Sequence, residues 1–106
     1  MRDHGIRVYA ELSGLTAEAC QTLAGSYPFE DVSCKDGEAE LEFEGVYFPV
    51  EEFVEEAAQV LGKDGTGTVD VIDHGEWTFT RYRIKYGEWT FKTRQVDDSL
   101  DKYAFE

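Results

Sequence analysis

The stretch Glu38-Ala39-Glu40-Leu41-Glu42-Phe43-Glu44 alternates acidic and apolar residues without interruption. Alternation with a period of two is typical of a β-strand that buries one face and exposes the other. The apolar residues are therefore expected to face a core. The acidic residues are expected to stand in one line on the opposite face. We call this line the glutamate row: Glu38, Glu40, Glu42 and Glu44.

Neighbouring members of the glutamate row should lie about 6.5–7 Å apart, since each strand residue advances about 3.3 Å. One strand of a nucleic acid carries its phosphates at a similar spacing, roughly 6–7 Å. Carboxylates at this distance repel one another, so the row requires either a basic partner or full hydration. The decisive question for function is therefore which groups neutralise the row.

The composition indicates one folded, strongly acidic domain spanning residues 1–106. Of its 106 residues, 42% are hydrophobic, which is typical of a folded protein with a single core. The formal charge is −13, from 23 acidic and 10 basic residues. Such a field repels nucleic acid and anionic membranes and attracts basic proteins. No apolar run approaches the roughly 18 residues that span a bilayer.

Turn and cap signals place further elements around the glutamate row. Asp36-Gly37 predicts a two-residue hairpin that joins the row to a strand over residues 29–34. An alternating stretch predicts a first strand over residues 5–12. Thr16 is a good N-cap for a helix ending at Gly25, where a left-handed residue is expected. A second helix is predicted over residues 49–61, with five residues facing the core: Phe53, Val54, Ala57, Val60 and Leu61.

The C-terminal third adds a predicted strand over residues 68–73 and then an internal repeat. Gly75-Glu76-Trp77-Thr78-Phe79 recurs as Gly87-Glu88-Trp89-Thr90-Phe91, which indicates two successive antiparallel strands. The element order predicts an α+β fold with a ferredoxin-like split βαβ order (βαββαβ) and an added C-terminal β-hairpin. Its antiparallel sheet would carry both helices on one face. Residues 97–106 are expected to form a short acidic tail.

Opposite charges separate along the chain. Between residues 30 and 56 the chain carries eleven acidic residues against Lys35 alone. A basic row of the same period, Arg81, Arg83 and Lys85, lies in the C-terminal hairpin. The two rows could be cross-strand partners, at about 0.2–1 kcal/mol for each pair. That pairing would still leave the acidic face of the second helix uncompensated. This face consists of Glu51, Glu52, Glu55 and Glu56.

Residue patterns of catalysis or metal binding are weak. His74 lies at a predicted turn near Asp73 and Glu76, and His4 lies near the N-terminus, without paired-ligand spacing. We therefore expect no catalytic residues, no metal and no cofactor. Cys20 and Cys34 lack redox or metal-binding spacing, so a reduced, cytoplasmic protein is the default, although a disulfide between them is left open. The net charge opposes direct nucleic-acid binding by the C-terminal aromatic and basic residues.

Eight glutamates carry a resemblance to a functional class. In size and charge pattern the chain resembles phage-encoded acidic inhibitors that mimic DNA, including anti-CRISPR proteins. The resemblance implies a protein that blocks DNA from a CRISPR effector or a similar nuclease complex in the host cytoplasm. The residues concerned are Glu38, Glu40, Glu42, Glu44, Glu51, Glu52, Glu55 and Glu56.

The sequence thus predicts an inhibitor that occupies a basic, nucleic-acid-binding surface of another protein. An immunity protein or antitoxin that neutralises a basic toxin is the alternative, since it requires the same electrostatic field. A structural or regulatory domain whose acidity serves solubility is a third possibility. The oligomeric state and the identity of the partner are left open.

Overall fold

The computed structural model describes residues 5–95, which form six strands and two helices. The predicted acidic tail, residues 97–106, lies outside this range. In chain order the elements are β1 (Ile6–Ser13), α1 (Ala17–Gly25), β2 (Asp31–Lys35), β3 (Glu38–Gly45), α2 (Val50–Leu61), β4 (Thr66–Asp73), β5 (Thr78–Lys85) and β6 (Glu88–Gln95).

All six strands form one antiparallel sheet in the order β2-β3-β1-β4-β5-β6. The predicted α+β class with an antiparallel sheet and two helices is confirmed. Strand β3 lies second from one edge of the sheet, and the hairpin β5–β6 forms the opposite edge. The hairpin therefore extends the sheet and does not cover the glutamate row.

Local chemistry explains where several elements begin and turn. The Thr16 hydroxyl accepts a hydrogen bond from the Ala19 N–H at 3.0 Å, which caps α1 as predicted. Asp36 and Gly37 both have positive φ, at 56° and 79°, as the predicted two-residue hairpin requires. Gly25 does not have positive φ, contrary to prediction. It is the last residue of α1, and the Ser26 N–H bonds to carbonyls of the final turn.

Both helices pack on one face of the sheet and form a single core with it. Alternate residues of β1 and β3, including Val8, Ala10 and Leu41, are completely buried under the helices. The predicted core face of α2 is confirmed at four of five positions. Val60 is wrong: it is 38% exposed, and Ala58 is buried instead. Within the described residues, no helix is long and apolar enough to cross a membrane.

Cys20 and Cys34 form a disulfide that joins α1 to β2. This pairing departs from the reduced cysteines expected by default. Their Cα atoms lie 5.9 Å apart, within the range that a disulfide spans. The register of β2 explains the contact, because Cys34 lies opposite the buried Ala39 and so faces the helices. Sequence spacing alone could not show that the strand turns this residue toward α1.

The disulfide is expected to stabilise the fold by about 3 kcal/mol, the chain-entropy value for a loop of about 15 residues. The two cysteines are separated by 14 positions. Urea denaturation of the wild type should shift to lower concentration when a reductant is added. The Cys20→Ala/Cys34→Ala variant should show the lower midpoint with or without reductant. A wild-type midpoint that ignores the reductant would contradict this role.

Candidate acidic binding surface

The glutamate row stands on the sheet face opposite the helices, which we call the outer face. Along β3 the residues between the glutamates are buried, with Ala39, Leu41 and Phe43 at 1%, 0% and 7% exposure. Glu38, Glu40 and Glu44 are exposed and Glu42 is half-buried. The alternation read from the sequence therefore forms a continuous line of carboxylates on the outer face.

Neighbouring strands widen the centre of this line into an acidic patch. Glu11 on β1 lies directly opposite Glu40, and Asp31 on β2 lies directly opposite Glu42. Paired strands are about 4.8 Å apart, so the backbone positions of Glu11 and Asp31 are closer to the row than the members of the row are to one another. Glu11 was missed as a member of the site because no turn signal in the sequence sets the register of β1 against β3. Asp31 could have been found, because the two-residue Asp36-Gly37 hairpin sets it opposite Glu42.

Tyr9, on β1, lies within this acidic patch, directly opposite Glu42 of β3. Burial raises the pKa of the Tyr9 hydroxyl above its usual value, and the charges of Glu40, Glu11, Glu42 and Asp70 raise it further. Each of these carboxylates disfavours another negative charge, so their contribution to the raised pKa, which is smaller than that of burial, reflects a negative field at the centre of the outer face.

Among residues 5–95, basic residues lie beside every member of the glutamate row except Glu40. The Arg7 guanidinium lies 3.9 Å from carboxylate oxygens of Glu42 and Glu44. Lys35 occupies the position opposite Glu38 on β2. The Arg7 side chain is 47% exposed, so each of its ion pairs contributes little, up to about 1 kcal/mol. Glu40 has no ion pair within 4 Å among residues 5–95.

The basic row lies on the same outer face but does not pair with the glutamate row. Strands β1 and β4 separate β3 from β5, a distance of about 14 Å between the strands. The interpretation of the two rows as cross-strand partners is therefore wrong. Arg81 instead donates two hydrogen bonds to Asp70 on β4, at 2.7 and 2.9 Å. This bidentate pair neutralises a carboxylate outside the row.

The part of the outer face that residues 5–95 form is almost balanced in charge but strongly divided. Its acidic side lies on β2, β3 and β1, and its basic side lies on β5 and β6. The outward-facing acidic residues are Glu11, Asp31, Glu38, Glu40, Glu42, Glu44, Asp70 and Glu88, and the basic ones are Arg7, Lys35, Arg81, Arg83, Lys85, Lys92 and Arg94.

The uncompensated charge of the described residues lies elsewhere, on the helices and loops and at the last residue of β4. Lys63 is the one basic residue between positions 5 and 95 that is not on the outer face. The acidic residues off that face are Glu18, Glu30, Asp36, Glu51, Glu52, Glu55, Glu56, Asp64, Asp73 and Glu76. Four of these belong to α2, which carries no basic residue.

Two carboxylates of α2 are held in place by neutral donors. The Trp89 Nε1–H donates to Glu55 at 2.8 Å, and the Tyr27 hydroxyl donates to Glu56 at 2.7 Å. Neutral donors orient a carboxylate without supplying the positive charge of an ion pair. Glu51 and Glu52, in the first turn, are exposed. The four glutamates and the glutamate row thus lie on opposite sides of the sheet, and the structure does not bring them together.

Tyr27 should make stability decline in alkaline solution. Burial raises the pKa of Tyr27 far above its usual value of 10.0, and the hydrogen bond to Glu56 raises it further. Because the folded-state pKa exceeds the unfolded one, this stabilisation is complete below about pH 10 and is lost as pH rises above it. Urea midpoints measured between pH 8 and pH 11 should fall less steeply for Tyr27→Phe than for the wild type. Equal slopes would contradict the coupling.

The weak metal and redox signals of the sequence do not assemble into a site. His74 sits in a turn in which Asp73 Oδ1 accepts hydrogen bonds from the N–H groups of Gly75 and Glu76. No group of three or more histidine, cysteine, aspartate or glutamate residues that could hold a metal occurs in the part of the chain described. His4 lies outside that part.

Comparison of the chain with protein-family models, with curated proteins and with solved structures finds no match. The functional interpretation therefore depends on the geometry and charge of the two acidic surfaces.

Proposed function

We propose that this protein is a small acidic inhibitor that occupies a basic, nucleic-acid-binding surface of a partner protein. In this role its carboxylates take the place of phosphates, as in the DNA-mimic inhibitors that include anti-CRISPR proteins. The proposed role is binding and not catalysis. The target would be a cytoplasmic nucleic-acid-binding complex. This location depends on the kind of target and not on the cysteines, since Cys20 and Cys34 form a disulfide.

The observation that carries the proposal is the placement of the basic row. Because β1 and β4 separate it from β3, the centre of the glutamate row keeps Glu11 and Asp31 as its cross-strand acidic neighbours. A row of like charges on a rigid strand costs electrostatic free energy in the isolated protein. A basic partner surface would relieve that repulsion and would release its own bound counterions.

The acidic face of α2 supplies a second set of carboxylates at a similar spacing. Glu51 and Glu55, like Glu52 and Glu56, are four residues apart, which corresponds to about 6 Å along a helix axis. The hydrogen bonds from Trp89 and Tyr27 restrict two of the four side chains before any partner binds. Such preorganisation reduces the entropy lost on association.

Affinity capture at low salt, followed by mass spectrometry, tests this proposal. Wild-type protein should retain one or more basic nucleic-acid-binding proteins, and retention should decrease steeply with salt, since paired surface charges are screened. Charge reversal at two members of the glutamate row, in the variant Glu40→Lys/Glu42→Lys, should abolish retention of these proteins. Capture of the same proteins by this variant would contradict the proposal. Capture of a basic toxin that does not bind nucleic acid would favour an immunity protein or antitoxin instead.

We further propose that β1 to β4 and the two helices form the ferredoxin-like split βαβ arrangement. This is supported by the position of β3 between β1 and β2, and of β1 between β3 and β4. The sheet departs from that arrangement at its other edge, where β5 and β6 continue beyond β4. No function follows from the arrangement itself.

A further inference from the structure

The outer face is divided into acidic and basic halves along a line between β1 and β4. Three strands lie on each side of this line. The cross-strand register aligns their outward residues into rows that run across the sheet, perpendicular to the strands and to the glutamate row. One such row, read across the sheet, is Lys35, Glu38, Ser13, Thr66, Lys85 and Glu88. Its charges run positive, negative, neutral, neutral, positive, negative. The two ends of the row are therefore complementary to each other.

We infer that the outer face binds the outer face of a second copy of this chain, about a two-fold axis parallel to the strands between β1 and β4. Rotation about this axis places β3 over β5 of the second copy. Because the axis is parallel to the strands, each residue faces a residue of the same cross-sheet row in the second copy. Isologous contacts of this kind repeat each pair twice. The inference goes beyond the proposed function and does not depend on it.

The rotation brings opposite charges together in three consecutive rows. Glu40 meets Arg83 of the second copy, and this pair lies near the centre of the interface. Among residues 5–95, no ion pair within 4 Å occupies Arg83, Lys85 or Lys92. The four complementary pairs that do not involve Arg81 are Glu40 with Arg83, Glu38 with Lys85, Asp31 with Lys92, and Lys35 with Glu88.

Residues along the axis allow the two sheets to approach. Strands β1 and β4 form the floor of a groove of about 480 Å³, with Ser13, Thr66 and Thr68 between the acidic and basic walls. One row further along, Tyr9 meets Asp70 of the second copy, so its hydroxyl can donate a hydrogen bond to that carboxylate. At the Ser13 end of the axis the small side chains leave room for the long charged side chains on each side to meet, whereas Glu11 and Tyr9 occupy the axis further along.

The size of the face and the location of the excess charge are both compatible with a dimer. Six strands of up to eight residues present roughly 700 Å² in each copy, or about 1,400 Å² in total, within the range of specific interfaces. Within residues 5–95 the outer face is nearly neutral, whereas the excess acidic residues lie off that face, most of them on the helices and loops. In the dimer the helices point away from each other, further apart than the screening length of about 8 Å at physiological salt.

Formation of this dimer would cover the glutamate row and leave α2 exposed in both copies. A basic partner that binds the glutamate row must displace the second copy, whereas a partner that binds α2 can bind the dimer. Salt should weaken the dimer, since its contacts are mainly between charges.

Two charge-reversed variants test the pairing directly by sedimentation velocity at low salt. The first is Glu38→Lys/Glu40→Arg and the second is Arg83→Glu/Lys85→Glu. Each variant alone places like charges opposite each other, so we expect its dimer to be weakened by about 100-fold or more. An equimolar mixture restores opposite charges at every reversed position and should form a heterodimer. This recovery would also show that both variants are folded.

The wild type should sediment as a dimer at low salt and as a monomer at high salt. The control Glu51→Lys/Glu52→Lys reverses the same number of charges on α2 and should remain dimeric. A wild type that is monomeric at low salt and millimolar concentration would overturn the inference. The inference would also be overturned if the wild type is a dimer but the two charge-reversed variants do not form a heterodimer when they are mixed. None of these results depends on whether a basic partner is captured.

Discussion

Reversal of two charges at the centre of the glutamate row is expected to weaken partner binding by about 100-fold or more. In Glu40→Lys/Glu42→Lys, each attractive contact with a basic surface becomes a repulsive one. A tenfold loss for each residue corresponds to about 1.4 kcal/mol, at the low end for charges moved from attraction to repulsion in an interface. Isothermal titration of the captured partner with wild type and variant measures the change.

A matched control separates this local effect from the general loss of negative charge. Asp64→Lys/Glu76→Lys reverses two exposed acidic residues in loops, so it changes net charge by the same amount. This control should lose less than tenfold in affinity. Equal losses in both variants would show that the partner responds to net charge and not to the row. Glu51→Lys/Glu52→Lys, measured in parallel, shows whether the partner also contacts α2.

Phe53→Ala is expected to lower the free energy of unfolding by about 3–5 kcal/mol, the cost of removing a large side chain from a tight core. Phe53 is completely buried in α2. Its ring lies 5.2 Å from Tyr27, 5.1 Å from Phe29 and 5.9 Å from Phe48, between ring centroids. These contacts anchor α2 against the segments that flank β2 and β3. Urea denaturation measures the loss.

The same truncation at an exposed aromatic residue provides the control. Phe91 on β6 is 54% exposed, so Phe91→Ala should cost about 1 kcal/mol or less. Comparable losses in the two variants would mean that the aromatic cluster around Phe53 is not the centre of the core. The Phe53 variant should also release Glu56, because Tyr27, which donates to that carboxylate, packs against the lost ring.

The sequence predicted the features that depend on a few neighbouring residues. Alternation in residues 38–44 gave the facing of β3, Thr16 gave a helix cap, and Asp36-Gly37 gave a hairpin. Each is decided by backbone geometry and by burial of one face. The predicted burial of Val60 was wrong, because the helical period does not show how wide a stripe of α2 the sheet covers.

Non-local pairing could not be predicted in the same way. The alternation of the basic row matched that of the glutamate row, yet the strand order puts β1 and β4 between them. The internal repeat predicted two successive antiparallel strands, and β5 and β6 confirm this prediction. The repeat does not predict facing: Phe79 lies on the outer face, whereas the corresponding Phe91 lies on the helix side. Sequence identity between the two segments contains no record of this difference.

Competition with nucleic acid tests most directly whether the protein occupies a nucleic-acid-binding surface. The captured partner is bound to a fluorescent DNA duplex, and anisotropy is followed as the acidic protein is added. Wild type and the Asp64→Lys/Glu76→Lys control should release the duplex at equimolar amounts, whereas Glu40→Lys/Glu42→Lys should not. A stable complex in which the partner holds the duplex and the wild-type protein together would contradict mimicry.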